Sequence, residues 1–460
     1  MLLILKGKTD RNFIFDKFMP SETKQYKKPA FKNLILHLHP ARVDEQTLKF
    51  TLTWGLGGMA LTLTMLLIFT GVLLMFVYEP SPDRAYDSIV ALRDNVWFGQ
   101  LVRNIHRWSG DILIIVVLMH LLRVFFTGAF RDVRRTNWII GLFLLLIVLA
   151  ANFTGYLLPW DQLAFWATSI CTGMVEYIPG IGAWLQEVIK GGADIGPATL
   201  LIFFTLHCTL IPLCLVLLMA FHFWYVRKAG GVVIPRSADE KHLLERSHVP
   251  TIPNLVDREL AVGLSLIAFV FVFSLVFDAP LEAKANPGMS LNPAKAPWYF
   301  LGLQELLIHF HPLFAVFIIP FLALAALLAL PYLKHDSDTA GIWFCSHQGR
   351  RTGMIAALFA GLIIPAGIIG DEFFIDLAAW LPSLPPAISN GLVPFCLLSG
   401  VLAGFYALVK RRYAATDNEA IQALFIFLLV SLVVLTVVGI WFRGPGMTLT
   451  WPGQMETAGG

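Results

Sequence analysis

RNIHRWSGDILIIVVLMHLLR, residues 103–123, carries two histidines, His106 and His120, 14 positions apart in an apolar stretch. A second stretch, HCTLIPLCLVLLMAFH at 207–222, repeats the pattern with His207 and His222, 15 positions apart. At about 1.5 Å rise and roughly 100° per residue, either interval carries a side chain about 21 Å along a helix and back near the same face. Two such helices set face to face offer two bis-imidazole sites, one towards each end. A lone histidine in an apolar helix is more often a hydrogen-bonded packing residue. That reading weakens for two matched pairs, because a polar side chain at membrane depth is costly and usually functional. Neutral imidazoles on both faces of a haem iron make a six-coordinate, low-spin centre with no open position, suited to electron transfer.

Composition sets the class. Hydrophobic residues make up 57% and charged residues 14% of 460, where a soluble domain carries about 25% charged. Such a chain needs lipid to cover its apolar surface. A net charge of +3 is too small to imply nucleic-acid binding. The cysteines Cys171, Cys208, Cys214, Cys345 and Cys396 form neither CxxC nor CxxCH, so a zinc cluster and covalent c-type haem attachment lack support.

Apolar runs of about 20 residues predict an all-α integral membrane protein with about nine transmembrane helices, near 51–78, 108–128, 137–157, 200–226, 259–278, 312–333, 353–370, 388–409 and 420–441. Residues 1–50 read as a basic interfacial arm holding Lys6, Lys8, Lys17, Lys24, Lys27, Lys28 and Lys32; the MLLILKGK start is too short before its charges for a signal peptide. A four-helix di-haem domain at 51–228, a linker at 229–258, a domain at 259–335 and further helices at 336–460 complete the division. Arg131, Arg134 and Arg135, then Arg227 and Lys228, Lys334, and Lys410, Arg411 and Arg412 follow alternate spans. The positive-inside rule puts them and the N-terminus in the cytoplasm of a bacterial inner membrane. Loops 79–99, 158–199, 279–311 and 371–387 then face the positive side, with His106 and His207 outer and His120 and His222 inner.

Glycines supply room. Gly57 and Gly71 in the first span, and Gly141 and Gly155 in the third, are each 14 residues apart, the interval of the first histidine pair. Small residues are common between membrane helices, yet the repeat fits a flat porphyrin lying against each flanking helix at two levels.

VRNIHRWSG from Val102, HLLRVFFTG from His120, GYLLPWDQ from Gly155, FWATS from Phe165, IPGIG from Ile178 and HFWYVRKAG from His222 resemble cytochrome b of the quinol-oxidising, Rieske-containing cytochrome bc and bf complexes. The resemblance covers roughly residues 40–335. The 15-residue spacing and LPWDQ look closer to the chloroplast type, here fused to the quinol-loop signature Pro297, Trp298, Tyr299 and Phe300. It implies two haem b groups, quinol and quinone as substrates, and separate Rieske and c-type cytochrome subunits in a homodimeric complex. It also implies that Arg103 and Arg107 pair with outer-haem propionates and Arg123 with inner ones, charge being what a buried propionate needs. Arg227, with Arg258 and Glu259 nearby, matches the inner quinone site; Tyr156, Trp166, Ala167 and Tyr299 match the outer quinol pocket.

Two departures stand out. Where the chloroplast type has a cysteine that tethers an extra haem, this chain has Gly55, so no covalent haem is expected. Where the usual quinol loop reads Pro-Glu-Trp-Tyr, this one reads Ala296, Pro297, Trp298, Tyr299, and proline cannot titrate. Glu305, eight residues after Pro297, is expected to accept the second quinol proton with a pKa raised by partial burial, relayed by His309 and His311. The ninth span and its RGPGMTLTWPG tail are expected to dock the cytochrome c subunit. The competing readings are a di-haem anchor for another quinone-linked oxidoreductase and a haem-free transporter whose histidines relay protons.

Overall fold

The structure, a computed structural model, describes residues 39–235, 247–334 and 340–452. The lysines of the basic arm, Lys6 to Lys32, and part of the 229–258 linker lie outside the described residues.

Long apolar runs become helices because a backbone in lipid must satisfy its own hydrogen bonds. In chain order the principal helices are α1 (Leu56–Met75), α2 (Ala85–Asn95), α3 (Gly99–Phe126), α4 (Arg135–Leu157), α5 (Gln162–Val175), α6 (Gly182–Lys190) and α7 (Pro197–Lys228). They continue as α8 (Val256–Val276), α9 (Trp298–His309), α10 (Leu313–Tyr332), α11 (His347–Phe373), α12 (Ile388–Tyr413) and α13 (Asp417–Trp441). Nine of these, all but α2, α5, α6 and α9, are long and apolar enough to cross a membrane among the described residues. The fold is that of an all-α integral membrane protein. Among the described residues the strands are a short antiparallel pair, β1 (Arg42–Asp44) and β2 (His248–Pro250), with Val43 opposite Val249.

Loops alternate between two ends. At one end Arg103 donates to the carbonyl oxygens of Ala279 and Pro280 (2.7 and 2.6 Å), Tyr86 to Glu282, and the His311 amide to the Asn390 carbonyl. At the other, Arg134 donates to Ala229 and Gly231 carbonyls, and the Gly341 amide to Thr127. α3 begins at Gly99, well before the apolar run at 108, because Arg103 and Asn104 find backbone and carboxylate partners in the last turn of α8 and the segment after it. Stretches 79–99 and 158–199, read as loops, contain α2, α5 and α6, which lie over the ends of the spans. Asp161 caps α5, its carboxylate accepting from the Ala164 amide at 2.8 Å.

Leu63, Ile114, Val148 and Val270 form the core between α1, α3, α4 and α8. A second core of Phe125, Phe126, Trp138, Phe405 and Phe427 joins the far end of α3 and α4 to α11, α12 and α13. The last three spans therefore pack on the histidine bundle. α13 also lies flush on α9: a Cβ on Gly302 would meet Leu432 Cδ1 and Thr436 Oγ1 at 2.7 Å.

Candidate functional site

α3 and α7 bring the four histidines into two facing pairs. His106 and His207 have ring centroids 6.1 Å apart with planes at 77°, and His120 and His222 6.3 Å apart at 73°. With metal–nitrogen bonds of about 2 Å, each gap suits one metal ion held end-on between two imidazoles. The unequal intervals are reconciled locally. Leu206–Leu210 is a π-turn containing His207, which takes up one extra residue, so the 15-residue step on α7 matches the 14-residue step on α3. Pro212 follows within the same helix; it lacks an amide hydrogen, so the carbonyl four residues back has no ordinary helical donor.

The four glycines stand where the rings need space. An added Cβ at Gly57 would lie 3.7 Å from His120 Cε1, at Gly71 3.2 Å from His106 Cε1, at Gly141 3.5 Å from His222 Cε1 and at Gly155 2.5 Å from His207 Cε1. Each glycine therefore faces its own histidine. His207 Nδ1 donates to the Ala151 carbonyl at 3.0 Å. His106 Nδ1 lies 2.9 Å from Thr70 Oγ1, whose proton goes to Leu66 O at 2.8 Å, so the ring N–H is the donor. Both bonds leave Nε2 as the ligand atom and fix the ring orientation. A cavity of about 290 Å³ opens at this level, lined by Gly71, His106, Gly155, His207, Arg103 and Arg107.

The family model described as cytochrome b/b6/petB matches residues 44–230. Cytochrome b6 of Prochlorothrix hollandica is 39% identical over 175 residues, 38% of this chain and 79% of that protein. Cytochrome b6 of Mastigocladus laminosus is 35% identical over 195 residues, 41% of this chain and 91% of that protein. This chain belongs to the cytochrome b/b6 family. A chain of a hyperthermophilic respiratory Complex III is similar in fold, 22% identical with a TM-score of 0.63, the match covering 90% of this chain and 97% of that one. It shares the fold well beyond the region of the family match.

Family membership brings haem b, and the residues present fit it. Besides the paired rings and their glycines, Arg123 donates through Nε to Leu52 O at 2.9 Å while its Nη2 is buried without a partner. A propionate would satisfy that donor. At the other level Arg103 is committed to the Ala279 and Pro280 carbonyls. Arg107 pairs with Asp111 at 3.5 Å and lies over the Tyr156 ring at 5.2 Å, and both arginines still line the cavity at the His106–His207 level. Arg227 ends α7. Arg258 donates to Leu48 O at 2.6 Å, and Glu259 lies 3.3 Å from His39.

Residues expected at the outer quinol pocket share that end of the molecule. Trp298 and Tyr299 are packed against the core of the histidine bundle, and Ala167 is buried. The Tyr299 hydroxyl and Trp166 Nε1 are both buried with no partner, two donors that fit an oxygen-bearing ligand. Burial pushes the Tyr299 phenol above its ordinary value. Pro297 precedes α9 and supplies no titratable group. Asp111, absent from the residues singled out in the sequence, accepts from Trp298 Nε1 at 3.0 Å. No motif announced it; a carboxylate at a helical position inside a span was the available signal.

Glu305 departs from expectation. Burial by itself would raise its carboxyl, but hydrogen bonds from His309 and Arg443 outweigh it and hold the group below the usual value. It is fully buried and faces α13 and the segment after it, where Arg443 receives it. His309 joins the cluster, 3.3 Å from Glu305 and 2.7 Å from Asp371. Burial works against its charge, yet the Asp371 and Glu305 hydrogen bonds push it up to about 9. His311 instead accepts from the Leu313 amide through Nδ1 at 3.3 Å, so the expected relay divides.

Proposed function

We propose that this chain is the di-haem subunit of a quinol:cytochrome c oxidoreductase, oxidising quinol at the positive side and reducing quinone near the cytoplasm. The observation that carries the reading is the pair of imidazole gaps, 6.1 and 6.3 Å between ring centroids, on one pair of facing helices. His106 and His207 would hold an outer haem, His120 and His222 an inner one, and Arg123 would meet an inner propionate. When bound, these groups supply one-electron transfer along the helix axis.

The chain's own residues do the rest. Tyr299 and Trp166 offer buried donors to quinol oxygens, with Tyr156 and Ala167 closing the pocket wall. Arg227 attracts a quinone at the opposite end. Trp298, hydrogen-bonded to Asp111, covers the pocket on the side of the histidine bundle. A Rieske iron–sulfur subunit, a c-type cytochrome subunit and a second copy of the chain complete the complex. On this reading the basic loops and the N-terminus lie on the cytoplasmic side, and the membrane is a bacterial inner membrane. Membership of the family leaves a haem-free transporter without support.

The test is quinol:cytochrome c reductase activity of the purified complex, with its subunit composition and reduced spectrum. Quinol-dependent reduction with a Rieske cluster present is the expected result. A complex that holds both b-type signals but lacks a Rieske cluster would favour the membrane-anchor reading.

A further inference from the structure

Oxidation of a hydroquinone breaks two O–H bonds, releasing two protons and two electrons. The loop that precedes α9 offers Pro297 where a proton acceptor is usual. Tyrosine titrates near 10, Tyr299 higher still, and Glu305 is committed to Arg443. A carboxylate nevertheless sits at the loop. Asp111 projects from α3, five residues beyond His106, and accepts from Trp298 Nε1 at 3.0 Å. Its side chain is 13% exposed, so it is nearly dry without being sealed.

The charges around it suit proton transfer. Arg107, one turn back on the same helix, lies 3.5 Å from its second oxygen and 5.2 Å from the Tyr156 ring centroid. Tyr299 of α9 and Tyr156 of α4 both lie within the electrostatic reach of Arg107, Asp111 and Cys171 of α5. Asp161, which caps α5, also acts on Tyr156, and with it these are the titratable and charged groups whose fields reach the two tyrosines. A 3.5 Å contact is long for a charge-assisted pair, so Arg107 holds the carboxylate only loosely.

We propose that Asp111 is the proton acceptor that replaces the missing loop glutamate, an assignment that rests on the quinol-oxidising reading above. One O–H bond of the hydroquinone gives its proton and one electron to the iron–sulfur centre of the partner subunit. The second O–H bond breaks with its electron going to a b-type haem, a second one-electron acceptor, and its proton forming an O–H bond on Asp111; quinone leaves. The carboxyl then releases the proton to water at the positive side and re-pairs with Arg107. Trp298, anchored to the same carboxylate, couples the protonation state of Asp111 to the loop that covers the quinol.

Asp111→Asn keeps the acceptor for Trp298 and removes the base. In the whole purified complex it should lower quinol oxidation about 100-fold, the low end for loss of a general base, and flatten its pH profile, with both b-type spectra unchanged. Asp111→Glu should keep most of the rate, and Pro297→Glu added to Asp111→Asn should recover at least about tenfold of the loss. Redox-induced infrared difference spectra of the unmodified complex should contain a protonated-carboxyl band that shifts in Asp111→Glu. Full turnover with an unchanged pH profile in Asp111→Asn, or a carboxyl band indifferent to Asp111→Glu, would overturn the assignment. Absence of quinol oxidation in the unmodified complex would overturn the reading on which it stands.

Discussion

Arg443 grips both carboxylate oxygens of Glu305, with Nε at 3.1 and 3.0 Å and Nη2 at 2.6 Å, and neither side chain reaches solvent. The same guanidinium donates to Glu372 at 3.0 Å and to the Met447 carbonyl at 2.9 Å. One residue thus ties α9, the end of α11 and the tail after α13 together. The tail expected to dock a partner is, at its start, an internal staple on the helix that carries Trp298 and Tyr299.

Removing one partner of a buried ion pair leaves the other charge uncompensated, at a cost of about 3–5 kcal/mol. Glu305→Gln and Arg443→Gln should each lower thermal stability by that order, while the double variant should lose less than the sum. Thermal denaturation of the purified complex checks it. Additive losses would show that the two side chains do not act as a pair. Haem spectra should survive below the transition, because the histidine bundle has its own core.

The cluster also sets a pH window. His309 is raised from an ordinary 6.5 to about 9, so its contribution is fully present below about 6.5 and is lost as pH rises through about 9. Glu305 is lowered, so its contribution is present above the ordinary carboxyl value and is lost as pH falls through its folded value. Melting temperature should therefore decline between about pH 7 and 10, and His309→Gln should remove that slope. A slope unaltered in His309→Gln would locate it elsewhere.

The glycines predict graded effects. A methyl on Gly155 would meet His207 Cε1 at 2.5 Å, whereas one on Gly57 would stand 3.7 Å from His120. Gly155→Ala should tilt the His207 ring and shift or abolish the outer haem signal; Gly57→Ala should perturb the inner one less. Equal effects, read by redox titration of each signal, would contradict the ring placement.

Periodic features were legible in the sequence, and tertiary ones were not. His106, His120, His207 and His222 stood out because near-equal intervals on helices translate into matching depths, and Gly57, Gly71, Gly141 and Gly155, each pair 14 apart, stood out for the same reason. The π-turn at His207 was hidden, since only backbone geometry tells a 15-residue step with an inserted residue from a straight one. Glu305 was misread because its partner, Arg443, lies 138 positions away, and burial without that cation implies the opposite pKa shift. Asp111 was passed over because its meaning depends on Trp298, reached only when α9 folds against α3.

Redox-titrated absorption spectroscopy of the purified complex decides whether the two histidine pairs each hold a haem. Two low-spin b-type components are expected, of which His106→Ala or His207→Ala removes one and His120→Ala or His222→Ala the other, because a single imidazole does not hold a six-coordinate iron. A single component in the unmodified complex, or a variant of any of these four histidines that keeps both, would contradict that assignment.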